Sequence, residues 1–232
     1  EVEESTKSRN LNYFDATCPL VTKVHMEVRK HANANKDIIL IGHEGHPEVE
    51  GTMGRHENSE NSSIYLVENE DDAKNISITK KNNLAVVTQT TLSVDETRSI
   101  IDILKDRFPN ISIPKKDDIC YATQNRQDAV KQLALESDFM IVVGSKNSSN
   151  SNRLRELGEK CGCKSVLIDE FNDLDLNELM NYSNISITAG ASAPESRVME
   201  IAKSLESHIG AEIVQHGEDN ENIYFKLPPG LR

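Results

Sequence analysis

The amino-acid sequence predicts an α/β fold made of two similar subdomains, each built on a parallel sheet. Two observations lead to this prediction. Short apolar runs typical of buried strands alternate with stretches of helical periodicity, and such alternation produces right-handed βαβ units with helices on both faces of a sheet. The same series of elements also occurs twice, because the second half of the chain matches residues 102 positions earlier.

The repeat rests on a matched pair of cysteines and a matched pair of strands. A shift of 102 positions places Cys18 on Cys120, and places the run 37–42 (DIILIG) on 139–144 (FMIVVG). The two copies align without a gap, and an alignment of this length without a gap would rarely arise by chance. The gapless shift also pairs polar residues of the two copies: His46 with Ser148, Glu48 with Asn150, and Thr90 with Ser192.

Each copy opens with a helix directly after its cysteine, because apolar residues recur there at helical spacing. They are Val21, Val24, Val28 and Ala32 in the first copy and Ala129, Val130, Leu133 and Ala134 in the second. The first strand, a polar loop with a helix, a second strand, an acidic connector and a third strand follow. The second and third strands are expected at 63–68 and 84–90, and at 164–170 and 184–190. A last helix closes each copy, with Val94, Ile101, Leu104 and Phe108, or Val198, Ile201, Leu205 and Ile209, on its apolar face.

The repeat sets the expected domain boundaries. We predict one α/β subdomain at residues 12–112 and a second at 113–210. A C-terminal tail at 211–232 is expected to add one further strand at 223–227, before two prolines end it.

The charge balance excludes several classes of partner. The chain has 232 residues, with 38 Asp and Glu against 26 Lys and Arg, and a net charge of −12. Binding to a phosphate backbone depends on a surplus of basic residues, so we expect neither nucleic acid nor an acidic membrane surface as a partner. No apolar run approaches the roughly 18 residues of a membrane span, and no signal-peptide pattern opens the chain. Four cysteines are too few for a disulfide scaffold, so reduced thiols are expected.

Polar side chains follow the strand ends in both copies. In parallel sheets these ends share one edge, where helix N-termini present unpaired N–H groups that bind anions. After the first strands stand His43, His46, Glu48 and Glu50 in one copy and Ser148, Ser149, Asn150 and Asn152 in the other. Such donors can hold a phosphate group without arginines. The alternative is that these Ser and Asn residues only cap the helices that follow.

The matched cysteines leave three chemistries open. A thiolate at a helix N-terminus suits metal ligation or nucleophilic attack. Cys18 and Cys120 could bind zinc together with His43 or His46, although closely spaced ligand pairs are absent. One cysteine could instead act with a histidine as a nucleophile. An iron–sulfur cluster would use two matched, distant cysteines, with Glu48 as a proton donor. The repeat does not preserve Cys161 and Cys163, which we interpret as incidental.

Six motifs, in order along the chain, resemble the 4-hydroxy-3-methylbut-2-enyl diphosphate reductase family of the non-mevalonate isoprenoid pathway. They are DATCPLVTKVH, GHEGHPEVEGTMG, TQTTLSVDET, DDICYATQNRQ, VGSKNSSNSNRL and TAGASAP. The resemblance runs from about Asp15 to the end, and six ordered motifs make it highly specific.

The resemblance implies three pseudo-equivalent α/β domains around a central 4Fe-4S cluster, each of which supplies one cysteine. Cys18 and Cys120 match two of the three ligands. Glu48 matches the family's proton donor, with Thr90 beside it as a catalytic residue. The residues that match the diphosphate site are His46, Thr91, Ser148, Ser149, Asn150 and Ser192.

The implied reaction is reductive dehydroxylation of 4-hydroxy-3-methylbut-2-enyl diphosphate to isopentenyl and dimethylallyl diphosphate. Ferredoxin or flavodoxin would donate the electrons, in a bacterial cytoplasm or in a plastid-type organelle such as the plastid stroma or apicoplast. Two rival classes are an anion-binding protein without a cluster and a zinc hydrolase.

The sequence departs from the family in one respect, because motifs of the first of the three domains are absent. The chain also begins without Met. We therefore expect an upstream segment of about 80 to 100 residues, folded as a third copy and containing the third cysteine.

Overall fold

Two three-stranded parallel sheets form the framework of the protein. The structure is a computed structural model that describes residues 2–56, 61–79, 82–114, 118–217, 223–227 and 231. The first sheet has the order β2-β1-β3 and the second the order β5-β4-β6. The strands are β1 (Asp37–Ile41), β2 (Ile64–Val67), β3 (Leu84–Thr88), β4 (Phe139–Val143), β5 (Lys164–Ile168) and β6 (Ile185–Ala189). The predicted α/β class with repeated parallel sheets is confirmed.

Helices cover both faces of each sheet. They are α1 (Val2–Ser8), α2 (Pro19–Asn33), α3 (Pro47–Met53), α4 (Glu70–Asn75), α5 (Val94–Arg107), α6 (Tyr121–Glu136), α7 (Ser149–Lys160), α8 (Leu176–Leu179) and α9 (Glu195–Ile209). Helices α2 and α3 pack on one face of the first sheet, and α4 and α5 pack on the other. In the second sheet, α6 and α7 share one face, and α9 lies on the opposite face. None of the described helices is long and apolar enough to span a bilayer.

The central strand of the first sheet explains why two cores form. All five residues of β1 are buried, because a central strand of a parallel sheet has helices on both sides. Ile38 and Leu40 belong to the core beneath α2 and α3. Ile39 and Ile41 point the other way, into the core beneath α4 and α5. The alternation of side chains along a strand therefore divides one apolar run between two cores.

The strand registers show that the repeat contains a one-residue gap. The backbone N–H of Gln89 donates to the carbonyl of Ile41 at 2.8 Å, and the N–H of Gly190 donates to the carbonyl of Val143 at 2.9 Å. Ile41 and Val143 are 102 positions apart, but Gln89 and Gly190 are only 101 apart. One residue is lost between the start of α7, which matches α3 at a shift of 102, and β5, which matches β2 at a shift of 101.

This gap corrects the expected pairing of Thr90 with Ser192. In the observed register the counterpart of Thr90 is Ala191, and the counterpart of Ser192 is Thr91. The gapless shift was wrong here because loops can differ in length while helices and strands keep their packing. The earlier pairs, up to Glu48 with Asn150, are unaffected.

Helix α6 buries Val130 and Ala134 as expected, and Leu133 packs against the same core, but the buried stripe also contains polar residues. Its buried residues are Thr123, Gln127, Val130 and Ala134, which follow helical spacing along one stripe. Ala129 is exposed, so its assignment to the apolar face was wrong. The buried stripe includes polar residues because Gln127 bonds to the loop before α5, donating to the carbonyl of Leu92 at 2.8 Å.

The tail does not contain the expected strand. Residues 223–227 have no strand assignment, and Tyr224 is 90% exposed. A strand requires a neighbouring strand for its backbone hydrogen bonds, and no described strand pairs with this segment. The two prolines that were expected to end the strand lie outside the described residues.

Candidate active site at the strand ends

Glu48 and Thr90 form a hydrogen-bonded pair at the carboxyl end of the first sheet. Thr90, which is 4% exposed, donates to the Glu48 carboxylate from its backbone N–H at 2.7 Å and from its hydroxyl at 3.0 Å. Burial raises the pKa of Glu48, and the hydrogen bonds from Thr90 only partly oppose this. A half-buried carboxyl group that keeps its proton more readily suits the donation of a proton.

His46 begins α3 and orients its first turn. Its Nδ1 accepts a hydrogen bond from the backbone N–H of Glu48 at 3.1 Å, so the ring acts as the N-cap. In the tautomer that this bond requires, Nε2 carries the proton. The side chain therefore caps α3, a role that the sequence predicted only for Ser and Asn residues, and keeps one donor free at the strand edge.

Thr91 brings the two copies of the repeat together. Its hydroxyl donates to the hydroxyl of Ser149 at 3.3 Å and accepts a bond from the Gln89 side chain at 3.0 Å. The carbonyl oxygen of the Gln89 side chain accepts from the backbone N–H of His43 at 3.1 Å. Gln89 is 1% exposed and was missed as a candidate. The available signal was a polar residue directly after a fully buried strand, within TQTT.

The three candidate serines of the second copy differ in their positions and partners. Ser148 is the N-cap of α7, and its hydroxyl accepts from the N–H of Ser151 at 3.3 Å. The capping interpretation therefore holds for Ser148. Ser192 is exposed in the turn between β6 and α9, and Ser149 faces Thr91 as described. Of the predicted diphosphate residues, the structure joins Thr91 and Ser149 directly.

Asn150 is the counterpart of Glu48, but it has no partner. Asn150 is 5% exposed, and among the described residues neither its Oδ1 nor its Nδ2 has a hydrogen-bond partner. In the observed register the position of Thr90 is occupied in this copy by Ala191, which offers Asn150 no hydroxyl group. A buried amide without partners is costly, so this side chain is available to a ligand.

The two matched cysteines both stand at the start of a helix. Cys18 is the N-cap of α2 and is exposed, without a side-chain capping bond. Cys120 is the N-cap of α6, where its Sγ accepts from the N–H of Thr123 at 3.3 Å and lies 3.0 Å from the Thr123 hydroxyl. Cysteine sulfur is the usual protein ligand of iron in a cluster, and both sulfur atoms stand at a helix start. The chemistry of both positions therefore fits an iron–sulfur cluster.

The structure does not assemble the zinc site considered from the sequence. Among the described residues, no group of three or more His, Cys, Asp or Glu side chains could hold a metal ion. His43 instead contacts the guanidinium group of Arg153 through Nε2. Burial, and then the charge of Arg153, lower the pKa of His43. Cys161 is exposed and Cys163 is buried in the core, and neither begins a helix.

Comparison with known proteins identifies the family. Residues 1–206 match the model of the LytB protein family. The 4-hydroxy-3-methylbut-2-enyl diphosphate reductase of Saccharophagus degradans is 55% identical over 231 residues, which are 100% of this chain and 74% of that protein. The reductase of the same name from Psychrobacter arcticus is 52% identical over 231 residues, 100% of this chain and 73% of that protein.

Solved structures agree with these sequence matches. The E-1-hydroxy-2-methyl-but-2-enyl-4-diphosphate reductase from Plasmodium falciparum superimposes with a TM-score of 0.90 and 37% identity, and the match covers 98% of this chain and 71% of that one. A second structure, of a reductase described as the terminal enzyme of the non-mevalonate pathway, gives a TM-score of 0.56 and 28% identity over 89% of this chain and 72% of that one. With a family match over most of its length and relatives more than half identical, this chain belongs to the LytB protein family.

Proposed function

We propose that this chain provides the substrate loops, the proton donor and two cluster ligands of a 4-hydroxy-3-methylbut-2-enyl diphosphate reductase. The reaction breaks the carbon–oxygen bond of the substrate's allylic alcohol and forms a carbon–hydrogen bond. It consumes two electrons and two protons and releases water, with isopentenyl and dimethylallyl diphosphate as products. The names of the relatives support this reaction, and the geometry of the strand-end site supports the roles of the residues.

The unpartnered amide of Asn150 is the observation that carries the proposal. A ligand with both acceptor and donor groups would satisfy this buried side chain, and a diphosphate ester with a hydroxyl group offers both. The other residues that match the family's diphosphate site also carry neutral donors: the hydroxyls of Thr91, Ser148, Ser149 and Ser192, and Nε2 of His46. Together they hold the diphosphate, with support from the N-terminus of the twelve-residue α7.

Glu48 supplies protons to the reaction. Its raised pKa increases the fraction of protonated carboxyl groups near neutral pH. Thr90 holds the carboxyl group through two hydrogen bonds, which fix its direction. A donor with a fixed direction loses less entropy when the proton is transferred.

Cys18 and Cys120 ligate a 4Fe-4S cluster in this proposal. When bound, such a cluster supplies the electrons one at a time, received from ferredoxin or flavodoxin. A third thiolate comes from outside this chain, from a segment equivalent to the part of the relatives that the match does not cover. We assign the protein to a bacterial cytoplasm or to a plastid-type organelle, and its relatives include bacterial proteins and a Plasmodium falciparum reductase. The division into subdomains at 12–112 and 113–210 is part of the same proposal.

The substrate site can be tested by replacing Asn150. We expect Asn150→Ala to weaken binding of the diphosphate substrate by about 10-fold to 100-fold, the range for loss of a hydrogen bond to a charged group. Asn177→Ala, at an exposed position of α8, serves as the matched control. Calorimetric titration of both variants with the substrate measures the difference. Equal affinity in the two variants would contradict the assignment of Asn150.

The activity is tested on anaerobically prepared protein that includes a segment equivalent to the part of the relatives outside the match. Iron and sulfide assays, an absorbance near 400 nm and turnover of the substrate with reduced flavodoxin are the measurements. We expect a brown protein that releases both products. A colourless protein that binds diphosphate without turnover would instead be the anion-binding protein considered from the sequence.

A further inference from the structure

Asp118 is an enclosed carboxylate outside the strand-end site. Its side chain is 0% exposed, and its Oδ1 accepts from Lys23 Nζ at 3.1 Å. Its Oδ2 accepts from the backbone N–H of Thr88, the last residue of β3, at 3.2 Å. Both carboxylate oxygens therefore have a partner, which is the condition for burying an ionised group.

The ion pair connects the neighbourhoods of the two matched cysteines. Lys23 lies in α2, five residues after Cys18, and Asp118 lies two residues before Cys120. Among the described contacts, this is the hydrogen bond that joins the start of α2 to the segment that carries Cys120. It spans 95 positions of sequence and belongs to neither the substrate loops nor the Glu48 pair.

The N-terminal turn of α2 lies ahead of the buried part of the helix. Cys18 and Pro19 are exposed, and the first buried residue of the helix is Val24. Apolar packing therefore holds the helix only from Val24 onward. Cys120, in contrast, is fixed by its bonds to Thr123 and by its backbone N–H, which donates to the carbonyl of Thr90 at 3.0 Å.

We propose that the Lys23–Asp118 ion pair sets the position of Cys18 relative to Cys120 and so determines how firmly a cluster is held. Lys23 and Asp118 are positioning residues, since they act through the cysteines and touch no substrate. The inference rests on the proposed function, because it requires both cysteines to be ligands. Groups behind metal ligands commonly change metal affinity by about 10-fold to 100-fold when they are replaced.

The test uses the anaerobically prepared holoenzyme and the rate of iron loss to a chelator. We expect Lys23→Met to lose iron about 10-fold to 100-fold faster than the unsubstituted protein, and Lys23→Arg to restore most of the retention. Lys131→Met is the matched control, because Lys131 lies in the helix that begins at Cys120 and pairs with exposed Asp95 at 2.7 Å. Iron loss in this control is expected to be unchanged.

A double variant separates an effect on the position of Cys18 from an effect on folding. Lys23→Met alone leaves a buried charge unpaired, which can unfold the protein. Lys23→Met combined with Asp118→Asn removes both charges and keeps an acceptor for Thr88. We expect the double variant to regain the melting temperature of the unsubstituted apoprotein but still to lose iron as fast as Lys23→Met.

Three outcomes decide the inference. Fast iron loss in the double variant, with normal melting, supports it. Iron retention equal to that of Lys131→Met, in folded Lys23→Met or in the folded double variant, overturns it while the proposed function stands. An unsubstituted protein that binds no iron or sulfide overturns the proposed function and this inference with it.

Discussion

The hydroxyl oxygen of Ser151 occupies the space where a side chain on Gly190 would begin. A Cβ added to Gly190 would lie less than 3.0 Å from Ser151 Oγ, and a Cβ on Gly144 would meet the same atom. Ser151 is 0% exposed, so it has no room to move. The two glycines follow neighbouring strands, β4 and β6, and their small size allows the first turn of α7 to approach the sheet.

We predict that Gly190→Ala destabilises the fold by about 1–3 kcal/mol, the usual cost of overpacking. Adding Ser151→Ala should recover most of this loss, because the nearest remaining side-chain contact, to Ser151 Cβ, is 3.3 Å. The same rescue should be weaker for Gly144→Ala, where Ser151 Cβ lies at 2.9 Å. Urea denaturation of the single and double variants measures the difference, and equal rescue at both glycines would argue against this packing.

At Gly51, within helix α3, we predict that alanine stabilises the fold. A Cβ on Gly51 would meet only the His25 ring, at 3.8 Å or more, which is ordinary contact. Gly51→Ala should therefore raise the free energy of unfolding by up to about 1 kcal/mol, because alanine favours the helical conformation. A loss of stability in urea denaturation would show that α3 needs glycine for another reason.

Replacement of the matched cysteines should remove bound iron. We expect Cys18→Ser and Cys120→Ser each to lose most of the cluster, because serine is a poor ligand for it. Cys161→Ser is the suitable control, since Cys161 is exposed, whereas Cys163 is buried and its replacement would also disturb the core. Iron and sulfide are measured per chain after anaerobic preparation. Equal iron in all variants would reject the ligand assignment.

Glu48→Gln should lower turnover without weakening substrate binding. The amide keeps the shape of the carboxyl group and can still bond to Thr90, but it cannot donate the same proton. We expect turnover to fall by about 100-fold to 10,000-fold, with the cluster content and substrate affinity retained. Glu50→Gln, in the same helix and exposed, is the control. Near-normal turnover of Glu48→Gln would remove Glu48 from the reaction.

The raised pKa of Glu48 predicts a pH dependence of stability. The folded protein holds this proton to higher pH than the unfolded chain does, so the contribution to stability is complete below the ordinary value of 4.5. It decreases as the pH rises from there through the raised pKa of the folded state. Glu48→Gln should lack this decrease. Urea denaturation from pH 4 to 8, with Glu50→Gln as reference, measures the slope; parallel curves for the two variants would contradict the assignment.

Much of the fold could be predicted because its signals are local. A short apolar run bounded by turn residues, such as DIILIG, favours a buried strand, and a cysteine before a helical pattern predicts a helix start at Cys18 and Cys120. The register of the second copy could not be predicted, since it depends on the loss of one residue between the start of α7 and β5. The alignment without a gap also pairs residues of similar polarity. The sequence alone therefore paired Thr90 with Ser192.

The contacts within the site were even harder to predict from the sequence than the register. The types of residue at Glu48 and Asn150 were visible in the sequence, but the difference in their partners depends on the register. Gln89 was missed because a single buried amide has no periodic pattern. Its role follows only from its contacts with His43 and Thr91.

Thr90 connects the segment that carries Cys120 to the carboxyl group of Glu48. Its carbonyl oxygen accepts the backbone N–H of Cys120, while its own N–H and hydroxyl hold the Glu48 carboxyl group. In the proposed reaction, the segment that carries a cluster ligand and the group that donates protons are thus held by the two peptide groups on either side of one Cα atom. The separation between Cys120 and the Glu48 carboxyl group is therefore set by the backbone of Thr90 and by two hydrogen bonds from it.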